Sequence, residues 1–315
     1  MPGAILVTGA SGQLATALAS AGKTAGRQIL RAGRPEFDFD RPETIGQTIA
    51  QTIAQTTART IGEPPAARRL SAIVNAAAYT AVDAAEDDQA AAFRANRDGP
   101  ARLAALAAAA NIPFIQVSTD YVFDGTKGAP YRESDPPAPL GVYGASKRAG
   151  EEAVLAAGAR AIILRTAWVI SPTGRNFVRT MIAARAKTDR LRVVADQHGQ
   201  PTSAADLAAA ILAILGRIES EGWQDRFSGL FHAAGSGETT WHGLATAVFE
   251  EAARHGMAPP EILPIRTEDW PTRARRPADS RLDCTRLAAT FGLHLPPWRE
   301  SLRPLIDKIF DGAQC

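Results

Sequence analysis

Tyr143 and Lys147 stand four residues apart in Tyr143-Gly144-Ala145-Ser146-Lys147, and Thr119 lies upstream in Ser118-Thr119-Asp120-Tyr121. On a helix, residues four apart project from one face, so a phenol and an ammonium would point the same way. A phenol is a poor acid at neutral pH, and a neighbouring ammonium favours the phenolate and lowers its pKa. A hydroxyl, a phenol and an amine brought together are the groups that carbonyl reduction requires, with the phenol as general acid. Taken alone, Tyr-x-x-x-Lys also occurs on solvated helix faces. The elements that carry these residues therefore decide what they mean.

Those elements begin with Ala4-Ile5-Leu6-Val7, a short apolar run of buried-strand type, followed at once by Thr8-Gly9-Ala10-Ser11-Gly12-Gln13-Leu14-Ala15. A strand, a glycine turn and a helix form the dinucleotide-binding βα unit, in which backbone N–H groups and the helix dipole receive a pyrophosphate. Gly9 permits the tight turn, Gly12 the approach of phosphate, and Ala15 close helix–strand packing. A surface turn could also supply two glycines, but here they lie in the required strand–helix context. Further apolar runs at Ala72-Ile73-Val74-Asn75, Phe114-Ile115-Gln116-Val117-Ser118 and Ala161-Ile162-Ile163-Leu164 alternate with Ala-rich stretches such as Ala101 to Ala110. Strands alternating with helices predict an α/β fold, a doubly wound parallel sheet of Rossmann type. Thr119 then closes a strand at the ligand-binding edge. A Thr-Ile-x-Gln repeat between residues 44 and 56 puts Ile45, Ile49 and Ile53 on one stripe of a crossover helix. Gly229 to Gly235 reads as a late strand of the same sheet. Residues 1–170 and 202–235 are thus expected to form the dinucleotide-binding domain. Residues 171–201 and 236–315 would form a smaller, interleaved substrate-binding lobe over the carboxyl ends of the strands.

Composition sets the bounds. The 315 residues, 45% apolar, suffice for one large core with a smaller lobe. With 35 Lys and Arg against 33 Asp and Glu, no broad electrostatic case exists for nucleic acid or a membrane surface. No apolar run approaches the roughly 20 residues of a membrane span, and no signal peptide is read, so the cytoplasm is the expected location. Cys284 and Cys315 have no C-x-x-C or metal-like spacing, and the five His residues lie far apart.

With these residues in hand, the chain resembles the extended short-chain dehydrogenase/reductases, and within them the dTDP-4-dehydrorhamnose reductases. The glycine loop and the Tyr/Lys pair mark only the superfamily. More particular are Val74 to Asp83 with Ala85-Glu86, Thr119-Asp120-Tyr121-Val122-Phe123-Asp124-Gly125 and Arg165-Thr166-Ala167-Trp168-Val169. To these are added Asp196-Gln197-His198-Gly199-Gln200-Pro201-Thr202 and Arg276-Pro277 with Ser280-Arg281-Leu282. The resemblance implies NADPH-dependent reduction of the C4 ketone of dTDP-4-dehydro-L-rhamnose. In that reaction Tyr143 would donate the proton, Lys147 would hold the nicotinamide ribose and depress the Tyr143 pKa, and Thr119 would hydrogen-bond the substrate carbonyl. It also implies cofactor contacts from Gly9, Gly12, Gln13, Leu14, Asp38, Phe39, Ala76, Ala77 and Ala78, and substrate contacts from Asp120, Tyr121 and Trp168. Nucleotide-sugar 4,6-dehydratases have Thr-Asp-Glu where this chain has Tyr121, so the acid for elimination is missing. Trp168 could equally seal the sheet as a core aromatic.

Arg31 follows Gln28-Ile29-Leu30 with no immediate acid, and Arg34 comes next, which favours NADPH through its 2′-phosphate while leaving NADH possible. Some relatives bind magnesium through glutamates at a dimer interface, one in the first helix. Here Leu14-Ala15-Thr16-Ala17-Leu18 has no carboxylate, so no metal is expected, and the oligomer is read as monomer or homodimer. The basic run Arg273, Arg275 and Arg276 could reach a substrate diphosphate or be a solvated loop. The alternatives to the reading above are a reductase of another nucleotide-4-ketosugar and a non-catalytic dinucleotide-binding regulatory subunit.

Overall fold

A computed structural model describes residues 3–58 and 69–312; Cys315 lies outside the described residues. In chain order the strands are β1 (Ala4–Thr8), β2 (Ile29–Ala32), β3 (Leu70–Asn75), β4 (Phe114–Thr119), β5 (Ala161–Thr166), β6 (Val169–Ile170), β7 (Arg190–Val194), β8 (His198–Gly199), β9 (Thr202–Ser203), β10 (Gly229–His232), β11 (Thr239–Thr240) and β12 (Glu261–Ile265). The helices are α1 (Gln13–Thr24), α2 (Pro42–Ala58), α3 (Val82–Ala85), α4 (Gln89–Phe93), α5 (Gly99–Ala109), α6 (Val142–Ala156), α7 (Phe177–Arg185), α8 (Ala204–Glu221), α9 (Trp241–Ala252), α10 (Thr285–Phe291) and α11 (Trp298–Asp311). A π-helical turn, Arg94–Asp98, joins α4 to α5.

Six strands form one parallel sheet in the order β10-β5-β4-β3-β1-β2. Because side chains alternate across a strand, each apolar run feeds two cores. Ile5, Val7, Val74, Ile115, Ile162 and Leu164 face α1 and α8, where Leu14, Leu18, Leu207 and Ile211 close the layer. Leu6, Ile73, Phe114 and Ile163 point the other way, onto Ile45, Ile49, Leu103 and Ala104. The isoleucine stripe read in the sequence is therefore the buried side of α2, and the expected doubly wound sheet is the observed one.

A further apolar cluster lies outside the sheet, where Ile170, Val178, Leu244, Val248, Leu302 and Ile306 pack together. The two-stranded pairs β6–β9, β7–β12 and β8–β11 belong to the segments around it. The order reverses at β1, whose neighbours are β2 on one side and β3 on the other. That reversal opens the crevice in which such sheets receive ligands, at the carboxyl ends of the strands.

Candidate active site

The glycine loop sits on this crevice. Gly9 has φ +81°, a conformation that disfavours any side chain, and a Cβ there would lie 3.0 Å from the Ala77 backbone. The loops after β1 and β3 thus touch, which places Ala76 and Ala77 beside the turn. They are tied further by the Thr8 hydroxyl, which bonds Asn75 and accepts the Ala77 N–H at 3.3 Å. Asn75 in turn donates to Gln116 on β4 at 2.8 Å. At the head of α1 the first backbone N–H groups have no helical acceptor, so a bound pyrophosphate would complete them. The Leu14 side chain is core, so only its backbone is available. Gln13 accepts from Asn176 at 3.0 Å and so joins this helix head to the start of α7.

Arg31, exposed at the end of β2, reaches back to the Ala10 carbonyl at 3.1 Å, beside the glycine loop. Arg34 is already matched, pairing with Asp38 at 3.1 Å and Asp40 at 2.8 Å. Phe39 packs edge-on to Phe37 and lies over Gly99.

Tyr143 and Lys147 lie on α6, one turn apart as expected. The Tyr143 phenol lies close enough to the Thr119 hydroxyl to feel it, and its ring meets Tyr121 edge-on at 5.7 Å. The expectation that Lys147 depresses the phenol is not what the geometry provides. Burial pushes Tyr143 up to about 12, and the opposing pull comes from Thr119. The Lys147 ammonium donates to the Val117 carbonyl at 2.6 Å, and burial brings it down to about 8. Tyr143 is consequently a phenol that keeps its proton across the neutral range.

Asp120 follows Thr119 into the interior. Its Oδ1 accepts from the Thr119 hydroxyl at 3.0 Å, while Oδ2 is buried without a partner. Burial pushes this carboxyl up to about 6, against the pull of the Ser280 and Thr119 hydroxyls. Tyr121 and Tyr143 line a small pocket with Val82, Glu86, Arg275 and Pro277 among its other walls. Trp168 takes the left-handed backbone conformation, φ +44°, which is costly for a bulky residue. Its indole stacks on Trp241 at 3.5 Å, and its other side lies against Gly199, where any Cβ would clash with the ring. With both faces covered, only an edge of Trp168 is left for a ligand.

Sequence reasoning missed the polar atoms that hold α6 in place. Glu86 accepts the Val142 N–H at 2.8 Å and caps the helix that bears the phenol. Asn96, buried in the π turn, holds Tyr79 N–H at 2.9 Å and donates to Ser146 at 3.0 Å. The Asn96 carbonyl presses on Gly150, where no side chain would fit. Beneath them, Glu151 accepts from Ser118 at 2.6 Å and pairs doubly with Arg165 at 2.8 and 2.7 Å, both side chains fully buried. The available signal was the presence of polar residues inside helices that are otherwise Ala-rich.

The doubly wound sheet, its glycine turn at the strand-order reversal and the Thr119–Tyr143–Lys147 group define a nicotinamide-dependent oxidoreductase. The family profile for the RmlD substrate binding domain matches residues 3–310. A dTDP-4-dehydrorhamnose reductase of Sinorhizobium fredii is 42% identical over 96% of this chain and 96% of its own length. One from Burkholderia thailandensis is 41% identical over 94% and 95%. The crystal structure of dTDP-4-dehydrorhamnose reductase from Bacillus anthracis in complex with NADP superposes with a TM-score of 0.84 at 29% identity, covering 98% of this chain and 100% of that one. The chain belongs to the RmlD substrate binding domain family, and the resemblance to the dTDP-4-dehydrorhamnose reductases holds over nearly its whole length.

Proposed function

We propose that the protein reduces the C4 ketone of dTDP-4-dehydro-β-L-rhamnose to dTDP-L-rhamnose with NADPH. The observation that carries this reading is a protonated phenol, beside the Thr119 hydroxyl, at the wall of a pocket on the same sheet edge as the dinucleotide loop. NADPH, when bound, supplies the hydride to C4. The backbone at Gly9, Gly12, Gln13 and Leu14 would hold its pyrophosphate, with Ala76, Ala77 and Ala78 along its path and Arg31, Asp38 and Phe39 toward the adenine end. Tyr143 delivers the proton to the ketone oxygen, and Thr119 hydrogen-bonds that oxygen, so negative charge does not build up unpaired. Lys147 holds the ribose hydroxyls. Asp120 and Tyr121 meet the sugar, and the edge of Trp168 borders it.

Residues 1–170 and 202–235 serve as the dinucleotide-binding domain, and 171–201 with 236–315 as the substrate-binding lobe. This division is supported by the return of β10 to the main sheet and by the separate apolar cluster around α9 and α11. We place the reaction in the cytoplasm, because its cofactor and substrate are multiply charged phosphates that do not cross bilayers. Among the described residues no helix is long and apolar enough to span a membrane.

The test is NADPH consumption with the enzymatically prepared dTDP-linked keto sugar, beside GDP- and UDP-linked keto sugars. It is run after exhaustive chelation, with and without added magnesium. Turnover confined to the dTDP sugar supports the proposal; turnover only with another nucleotide replaces its substrate, and no turnover with any removes it.

The same preparation tests cofactor choice. Arg31→Asp should weaken NADPH by roughly 1–3 kcal/mol, the loss of a charge-assisted hydrogen bond, and leave NADH nearly unchanged. Titrating both cofactors by protein fluorescence reads the difference. An equal loss for the two would show damage to the loop at Ala10 instead.

A further inference from the structure

The three arginines of the 273–276 loop are not equivalent. Arg276 grips Asp83 with both terminal nitrogens, at 2.8 and 2.7 Å, and the same carboxylate accepts the Ala274 N–H at 3.1 Å. Arg273 pairs with Asp87 at 2.6 Å. Asp83 and Asp87 are one helical turn apart, so α3 and the turn after it hold both ends of the loop. Arg275 lies between these anchors. It is exposed, has no ion pair or hydrogen bond among the described residues, and lines the pocket shared by Tyr121 and Tyr143.

The only carboxylate among the lining residues is Glu86. It is committed to the Val142 N–H, and its charge is felt by the guanidinium of Arg276. The pocket therefore presents one uncompensated cation on the wall that carries the proton donor.

We propose that Arg275 binds the diphosphate of the nucleotide-sugar substrate; this deepens the reading above and rests on it. A guanidinium forms paired hydrogen bonds with phosphate oxygens, and the diphosphate is the charged part of such a substrate. Anchoring on both sides fixes the backbone before binding, which reduces the entropy lost when the fork engages. The loop would set how far the sugar reaches toward Tyr143, so that Arg275 acts on substrate affinity and leaves proton transfer to others.

The experiment uses the full chain with NADP present and compares wild type with Arg275→Gln and Arg275→Lys. Affinities for dTDP and thymidine are measured by calorimetry, and KM and kcat with the dTDP-linked keto sugar. Arg275→Gln should raise KM and the dTDP dissociation constant by on the order of 10–100-fold, the loss of hydrogen bonds to a charged group. Thymidine affinity, NADPH affinity and kcat should change little. Arg275→Lys, which keeps the charge but not the fork, should fall between. Unchanged dTDP affinity in Arg275→Gln, or an equal loss for dTDP and thymidine, overturns the assignment; so does a selective loss of NADPH affinity. If wild type neither binds dTDP nor reduces the sugar, the substrate reading falls and takes this proposal with it.

Discussion

Replacing Tyr143 with Phe should lower kcat by on the order of 10²–10⁴, the range that a positioned general acid contributes, while NADPH affinity stays near wild type. The substitution is clean for physical reasons. Phe keeps the ring that meets Tyr121 edge-on, and α6 remains held by Glu86, Asn96 and Glu151. Only the hydroxyl is lost, together with its influence on the neighbouring Thr119. Since burial keeps the phenol protonated up to about 12, the group enters the reaction already as an acid and needs no prior titration. Single-turnover rates under saturating NADPH, with a parallel cofactor titration, separate chemistry from binding. Turnover within a few-fold of wild type would remove Tyr143 as the donor.

Truncating Glu151 to Ala should destabilise the fold by about 3–5 kcal/mol, the usual cost of leaving one member of a buried ion pair alone. Arg165 is fully buried, its Nη1 already lacks a partner, and its other polar contacts converge on Glu151. The ring of Phe123, 5.0 Å from the guanidinium, attracts a cation but cannot accept its hydrogen bonds in place of a carboxylate. A double replacement, Glu151→Leu with Arg165→Met, removes both charges and should recover most of the loss. Urea midpoints for the single and double variants measure the difference. A loss under 1 kcal/mol in Glu151→Ala would mean that water reaches the Arg165 guanidinium and takes the place of the carboxylate.

The sheet was legible because its strands are short, strongly apolar runs cut by Gly and Ala-rich stretches, and such runs admit little else. Gly9 and the Tyr143–Lys147 spacing were legible for a similar reason, as each reflects a backbone or helical constraint that acts within a few residues. What stayed hidden depends on partners distant in the chain. Glu86 meets α6 across more than fifty residues, and Arg276 finds Asp83 from nearly two hundred away. Nothing local distinguishes Arg275 from its two neighbours until those pairings are seen. The small strands β6, β8, β9 and β11 are two residues each, too short to leave a periodic signal. The fate of Lys147 was also beyond spacing, because helical periodicity places its Cβ on the same face as Tyr143 but does not say which acceptor the ammonium will choose. In the folded chain a backbone carbonyl of β4 wins.

The position of β10 bears on how the protein is made. It is the last strand of the sheet to be synthesised, yet it covers the outer side of β5, every residue of which is buried. On the ribosome, the chain from Thr166 to Gly229 emerges over several seconds at about 5–20 residues per second. Throughout that interval the outer hydrogen-bonding edge of β5 has no strand beside it, while its inner edge pairs with β4. Nascent chains stalled before Gly229 would thus offer an open parallel edge to one another, a state prone to intermolecular pairing. The arrival of Gly229–His232 is thus the step that closes this edge of the sheet.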